Sequence, residues 1–205
     1  MYGKFEDVSA DEFLAVQCDL SEFRLSWDKG SAQCHVIEHK DANRVDQREV
    51  NHTYYWEVNW PRFFSNRDYV CSRRAKVFKE NGQEIIVLFT KSTQHSNCPK
   101  KAKAFRVENY WSVLTIKPLT TSDQPGVEFS LTGFENPGLS LPSYITTWVA
   151  IHAMPEFFTN LRLACFERRK WLKKPKEYST VHREPPSYLE TPKHYNEHAH
   201  NRNYA

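Results

Sequence analysis

The feature that most constrains this chain is a change of period part-way along it. From about Cys34 to Phe134 apolar and aromatic residues tend to recur at every second position, around runs such as Tyr55-Trp56-Glu57-Val58-Asn59-Trp60, Ile85-Ile86-Val87-Leu88-Phe89, Tyr110-Trp111-Ser112-Val113-Leu114-Thr115-Ile116 and Val127-Glu128-Phe129-Ser130-Leu131. Such alternation sends successive side chains to opposite faces of a strand. Lys79-Glu80-Asn81-Gly82 carries the Asn-Gly hairpin signal, and Asp123-Gln124-Pro125-Gly126 marks another turn. Strands joined by turns, with no helices between them, predict an antiparallel sheet. After Glu135-Asn136-Pro137-Gly138 the spacing becomes helical. Tyr144, Trp148 and Ile151, then Phe157, Phe158, Leu161, Leu163 and Cys165, predict one long helix with a broad apolar face, kinked near Met154 by Pro155.

At the other end, Met1 to Phe5 reads as a short strand. Ser9 and Glu12 have the spacing of a capping box, so a helix starts there with Phe13, Val16 and Leu20 on one face. The expected architecture is α+β: a helix, a curved antiparallel sheet, and a long C-terminal helix lying across the sheet's open face. Such an arrangement encloses a cavity more naturally than it fills a core, so the chain is expected to hold something apolar. Residues 173–205 are dominated by Lys, Pro, Glu, His, Tyr and Asn, and are expected to form a disordered polar tail after a domain spanning 1–172.

Composition closes off several function classes. With 14% aromatic residues among 205, the chain as a whole is not disordered. No run approaches eighteen apolar residues, and Met1-Tyr2-Gly3-Lys4-Phe5-Glu6-Asp7 resembles neither a signal nor a transit peptide, so a cytoplasmic chain is expected. A net charge of +3 gives no ground for a nucleic-acid partner. The five cysteines are scattered, with no CxxC pair, which suggests neither zinc nor a disulfide framework and fits a reducing compartment. His194, His198 and His200 lie in the polar tail, and no metal or other cofactor is expected. Absence of GxSxG, HExxH or paired-carboxylate motifs argues against an enzyme, and Cys34 and His35, adjacent in a strand, point to opposite faces.

Three segments carry a resemblance to a known family. Cys18-Asp19-Leu20-Ser21-Glu22-Phe23-Arg24-Leu25-Ser26-Trp27-Asp28 is similar to the Tyr-Arg-x-x-Trp-Asp stretch of StAR-related lipid transfer (START) domains. Tyr55-Trp56-Glu57-Val58-Asn59-Trp60-Pro61 with Ser65-Asn66-Arg67-Asp68-Tyr69-Val70 resembles the family's central strand, loop and strand. Phe134-Glu135-Asn136-Pro137-Gly138 with Leu141-Pro142-Ser143 and Trp148 resembles the approach to its C-terminal helix. The phosphatidylcholine-binding branch is the most similar, and Asn66-Arg67-Asp68-Tyr69-Val70, the following Ser72-Arg73-Arg74 and the Tyr110-Trp111-Ser112 strand lean towards its mitochondria-associated member.

The resemblance implies a helix-grip fold, in which a U-shaped sheet grips the C-terminal helix around a lipid tunnel. It also implies that about a quarter of the family's domain, roughly 50–60 residues of a typical domain, precedes the segment matching residues 2–7 and is missing here. The implied function is burial of one phosphatidylcholine and its carriage between membranes by a monomer, the helix or adjoining loops moving with Ser140, Leu141 and Pro142 as hinges. The family's choline cage maps onto Trp56, Tyr69 and Tyr110, and its phosphate-binding arginine onto Arg24. Aromatic faces attract a quaternary ammonium, and an arginine fork matches phosphate oxygens. Two polar head-group contacts of the branch fall at Gln17 and Ser112, where the side chains differ, leaving these two as candidates.

Read without the family, the three aromatics are packing residues and Arg24 pairs with Asp28 or Asp19. The resemblance places at Arg67-Asp68 the family's structural pair joining loop to sheet, and so assigns these two to architecture rather than ligand. Arg168, Arg169, Lys170 and Trp171 suit either a solvated helix terminus or a docking patch for an anionic membrane. Other lipids, a helix-grip enzyme and a truncated interaction module are the competing readings.

Overall fold

The computed structural model describes residues 1–40, 46–60, 64–139, 151 and 154–173. In chain order the elements are β1 (Tyr2–Ser9), α1 (Ala10–Cys18), α2 (Glu22–Trp27), β2 (Ser31–His39), β3 (Val50–Val58), β4 (Asn66–Glu80), β5 (Gln83–Ser92), β6 (Ala104–Arg106), β7 (Tyr110–Pro118), β8 (Pro125–Glu135) and α3 (Met154–Lys173). The strands make one sheet in the order β1-β8-β7-β5-β4-β3-β2, antiparallel throughout. Its first and last strands do not pair with each other, so the sheet is open. Local chemistry sets the breaks. Ser9 accepts from the Glu12 amide while the Glu12 carboxylate accepts from the Ser9 amide, the capping box that turns β1 into α1. Asn81 and Gly82 both have positive φ, 51° and 77°, as the tight β4–β5 hairpin requires.

One strand departs from the expected antiparallel order. β6 runs parallel to the start of β4, pairing Asn66 with Ala104 and Asp68 with Arg106. Side chains secure it: Arg106 donates from Nε and Nη2 to the two oxygens of the fully buried Asp68, at 3.0 and 2.8 Å. Arg67 and Asp68 therefore do not pair with each other. Arg67 lies over the Trp60 ring at 3.9 Å and donates to the Pro137 and Ser65 carbonyls, so both residues do tie loops to the sheet.

The described part of the C-terminal helix begins at Met154, followed by Pro155, and Ile151 just before it is also helical. Tyr144, Trp148 and the hinge residues Ser140, Leu141 and Pro142 lie outside the described residues, as do residues 152–153, beside which the kink was expected, and 174–205. α3 packs on α1 and the β1–β8 end of the sheet through a stack of rings: Phe13 on Phe129 and Phe129 on Phe158, each with centroids 4.8 Å apart. Gly3, paired with Phe129 across β1 and β8, leaves room for this stack, because a Cβ there would collide with the Phe129 ring. Three ion pairs flank the contact, Arg162 with Asp7, Arg169 with Glu12 and Arg168 with Asp19.

Beside this core the sheet and α3 leave a cavity. Cys34 on β2 and Glu135 on β8 both line it, although five strand spacings separate those strands. Laid flat they would stand about 24 Å apart. Sharing one cavity therefore requires the sheet to curl around it, with Met154, Phe157 and Phe158 of α3 on the far wall.

Candidate functional site

The cavity measures about 670 Å³, within the range of roughly 300–1,000 Å³ usual for small-molecule sites. Strand register builds its polar end. Cys34, Trp56 and Tyr69 stand opposite one another across β2, β3 and β4, and so share one face. The Trp56 and Tyr69 rings are 5.0 Å apart, and Tyr110 from β7 meets Tyr69 edge-on at 5.5 Å and 72°. The three expected cage aromatics are thus contiguous. Trp56 and Tyr110 face the cavity, whereas Tyr69, 2% exposed, backs them.

Tyr69 donates its hydroxyl to Glu135 at 2.5 Å. Burial and the Glu135 charge push that phenol well above its ordinary range, so it stays a neutral donor. Glu135, on the cavity wall and opposite Tyr110 in the β7–β8 register, adds a carboxylate beside this aromatic cluster that sequence reasoning missed. Its sequence signal was its place at the strand end, directly before Asn136-Pro137-Gly138.

Arg24 sits on α2, started by the Ser21 hydroxyl accepting from the Phe23 amide. Only 6% exposed, it directs Nε and Nη2 to one oxygen of Asp28, both at 2.8 Å. The same Asp28 oxygen accepts from the Ser31 hydroxyl at 2.8 Å, and Ser31 accepts from the Trp56 indole N–H at 2.7 Å. Arg24, Asp28, Ser31 and Trp56 therefore form one chain of hydrogen bonds linking the arginine to the aromatic cluster. Of the two carboxylates considered for Arg24, Asp28 holds it, and Asp19 pairs with Arg168 instead. Gln17 and Ser112 both line the cavity, and Ser112 accepts from the Tyr110 hydroxyl at 3.0 Å.

Arg73 is the residue that sequence reading left out. It was seen as part of a basic run, yet it follows Tyr69 and Cys71 at steps of two, which puts it on the inner face of β4. It is 9% exposed and lines the cavity. The buried thiols of Cys71 and Cys165 are each pushed up to about 12 by desolvation, so neither is a thiolate at neutral pH. Among the described residues no cluster of His, Cys, Asp and Glu could hold a metal ion, and no helix is long and apolar enough to cross a membrane.

At the end of α3 the basic residues are largely engaged. Arg168 pairs with Asp19, Arg169 with Glu12 and Lys170 with Glu167, while Trp171, 47% exposed, packs its ring 5.6 Å from Phe23.

The START domain profile matches residues 3–172. The chain belongs to the START domain family. This START domain is 33% identical over 178 residues to StAR-related lipid transfer protein 7, mitochondrial, of Mus musculus, covering 87% of this chain and 45% of the relative. It is 29% identical over 170 residues to the phosphatidylcholine transfer protein of Bos taurus, covering 83% of this chain and 74% of that protein. The chain thus spans less than half the length of the mitochondrial relative. Among solved structures, human STARD10 superposes with a TM-score of 0.64 at 20% identity, covering 83% of this chain and 63% of the other. Human StAR-related lipid transfer protein 5 gives 0.58 at 18%, covering 82% and 74%. These likenesses establish the START fold, and with it the open sheet carrying a C-terminal helix. The relatives matched in sequence are named as a lipid transfer protein and a phosphatidylcholine transfer protein.

Proposed function

We propose that this START domain buries one phosphatidylcholine molecule and carries it between membranes. The observation that carries the reading is the convergence of Trp56, Tyr69 and Tyr110 at one end of an otherwise largely apolar cavity, with the Glu135 carboxylate hydrogen-bonded to Tyr69. A quaternary ammonium cannot donate hydrogen bonds, and aromatic faces hold it by cation–π attraction that strengthens when water is excluded. A nearby carboxylate adds Coulomb attraction without needing a hydrogen. Arg24, aligned by Asp28, is suited to the phosphate, and the apolar walls to the acyl chains. No covalent chemistry is involved; the work is desolvation and release.

Native mass spectrometry of the purified chain and of Trp56→Ala tests this. Phosphatidylcholine bound one-to-one and lost in the folded variant is the expected result; a folded wild type that takes up only other lipids overturns it. Glu135 also favours a second cargo, because its free oxygen could accept from a primary ammonium, and the same spectra would reveal phosphatidylethanolamine.

Transient contact with anionic membranes through Arg168, Arg169, Lys170 and Trp171 is part of the proposal. It requires these cations to exchange their carboxylate partners for lipid phosphates. Charge reversal of the three cations should weaken binding to acidic vesicles, and unchanged binding would remove this element. The mitochondrial relative supports membrane traffic at that organelle. The polar segment beyond α3 is read as an appendage rather than part of the lipid-binding domain, with the domain acting as a monomer.

A further inference from the structure

Arg73 presents a contradiction that the fold alone does not resolve. The residue is about nine-tenths buried, and arginine does not shed its proton in proteins. Burying such a charge without a counter-charge is far costlier than burying an amide or hydroxyl. Elsewhere in the molecule that cost is offset. Arg24 has Asp28 and Arg106 has Asp68. Arg67, with no carboxylate in salt-bridge range among the described residues, is stacked on Trp60 and capped by two loop carbonyls, off the cavity wall.

Among the described residues Arg73 has only neutral partners. Nε donates to the Thr90 hydroxyl at 3.3 Å, Nη1 to the Gln17 carbonyl at 2.9 Å and Nη2 to the Tyr54 hydroxyl at 2.9 Å, with the Tyr54 ring 4.4 Å from the guanidinium carbon. These bonds fix the fork rigidly. They leave two of its five N–H groups without an acceptor among the described residues. Arg73 and all three acceptor residues line the cavity. An orphaned, immobilised cation on a cavity wall is a built site for an oxygen anion.

The position fits the proposed cargo. Arg73 shares the inner face of β4 with the cage residue Tyr69, four positions away, and its charge is felt by the Tyr110 hydroxyl. Arg73 and Arg24 both line this cavity, together with Cys34 and Tyr54. Arg24 is already neutralised by Asp28. We propose that Arg73 is a second anion-recognition residue, binding the phosphodiester of the carried lipid and receiving from it the counter-charge that the protein withholds. The inference rests on phosphatidylcholine as cargo. On this account the two arginines divide the work. Arg24, chained to Trp56, relates the phosphate to the choline cage, and Arg73 supplies the uncompensated charge that makes a phosphate preferable to a neutral polar group.

The test compares wild type with Arg73→Met and Arg73→Lys. Each lipid-free protein is offered vesicles containing phosphatidylcholine and diacylglycerol, which carries ester carbonyls but no phosphate. Loading is read by native mass spectrometry, and bound phosphatidylcholine by phosphorus NMR. Loss of a charge-assisted bond predicts that Arg73→Met lowers phosphatidylcholine loading about tenfold relative to diacylglycerol. Arg73→Lys keeps part of the preference and moves the phosphorus resonance. If the methionine variant does not fold, the lysine variant's loading ratio and resonance decide alone. Variants with the wild-type ratio and resonance would make Arg73 a scaffold residue and overturn the proposal. An equal fall for both lipids would assign the contact to ester carbonyls and also overturn it. Wild type that loads diacylglycerol but no phosphatidylcholine would overturn the cargo itself, a failure distinguishable from the other two.

Discussion

Replacing Asp28 by asparagine should destabilise the empty protein much more than the loaded one. The Arg24 and Asp28 side chains are each 8% exposed, so their ion pair is well removed from water. Removing one partner of such a pair costs about 3–5 kcal/mol, chiefly because the other charge is left buried and alone. Asparagine retains a carbonyl acceptor for Arg24 and Ser31, which puts the expected loss near the lower limit, about 3 kcal/mol. At a urea dependence of about 2 kcal/mol per molar, the unfolding midpoint of lipid-free protein falls by about 1.5 M. A bound phosphate beside Arg24 restores a counter-charge, and a hydrogen bond to a charged group contributes about 1.5 kcal/mol. The midpoint difference between wild type and Asp28→Asn should then shrink to about 0.75 M when both carry phosphatidylcholine. Urea titrations followed by tryptophan fluorescence and circular dichroism, with and without lipid, give both differences. Equal differences in the two states would refute the reasoning: Arg24 would meet no anionic group of the cargo, and its pairing with Asp28 would serve architecture alone.

Other outcomes follow from particular contacts. Trp56→Ala should lower phosphatidylcholine loading about 30-fold, from a desolvated cation–π contribution of about 2 kcal/mol; Trp56→Phe should fall between the two in the same vesicle-loading assay. Ser9→Ala removes the capping-box acceptor and costs about 1 kcal/mol, a drop of about 2–4 °C in Tm by calorimetry. Arg48 bridges Asp11, Asp46 and Glu84 and holds the Asp46 carboxyl down to about 2, against about 3.9 in an unfolded chain. A depressed carboxyl contributes stability that is present above about pH 4 and lost as pH falls towards 2. Arg48→Ala should therefore flatten the pH dependence of unfolding across that window, and a slope unchanged from wild type would show that this cluster does not couple to folding.

Much of the fold could be read because local chemistry and tertiary structure agree. Ser9 with Glu12, and Asn81 with Gly82, dictate a helix start and a hairpin from residues adjacent in sequence, and the structure uses both as expected. β6 was not legible. Three residues carry too little pattern, and what holds them is Arg106 reaching Asp68, 38 positions away. The cage aromatics were expected from family resemblance; their contiguity depends on the register of Trp56 opposite Tyr69, which alternation within one strand does not specify. Arg73 was legible in principle, by counting in twos from Tyr69. It was overlooked because Ser72-Arg73-Arg74 looks like a solvated basic patch, whereas the pleat sends Arg73 inward and leaves Arg74 exposed.

The ion pairs along α3 have a mechanical consequence. Arg162, Arg168 and Arg169 engage Asp7, Asp19 and Glu12 towards one end of the helix, while Met154, Phe157 and Phe158 wall the cavity at the other. The described helix is thus pinned by charge towards its C-terminal end. At 1.5 Å per residue, Met154 stands about 21 Å from Arg168, so a swing of about ten degrees carries it through roughly 4 Å. That displacement is comparable to the width of an acyl chain, and it needs no sheet hydrogen bond to break. Movement of the Met154 end is therefore resisted by the packing of Phe157 and Phe158 on the cavity wall rather than by those ion pairs.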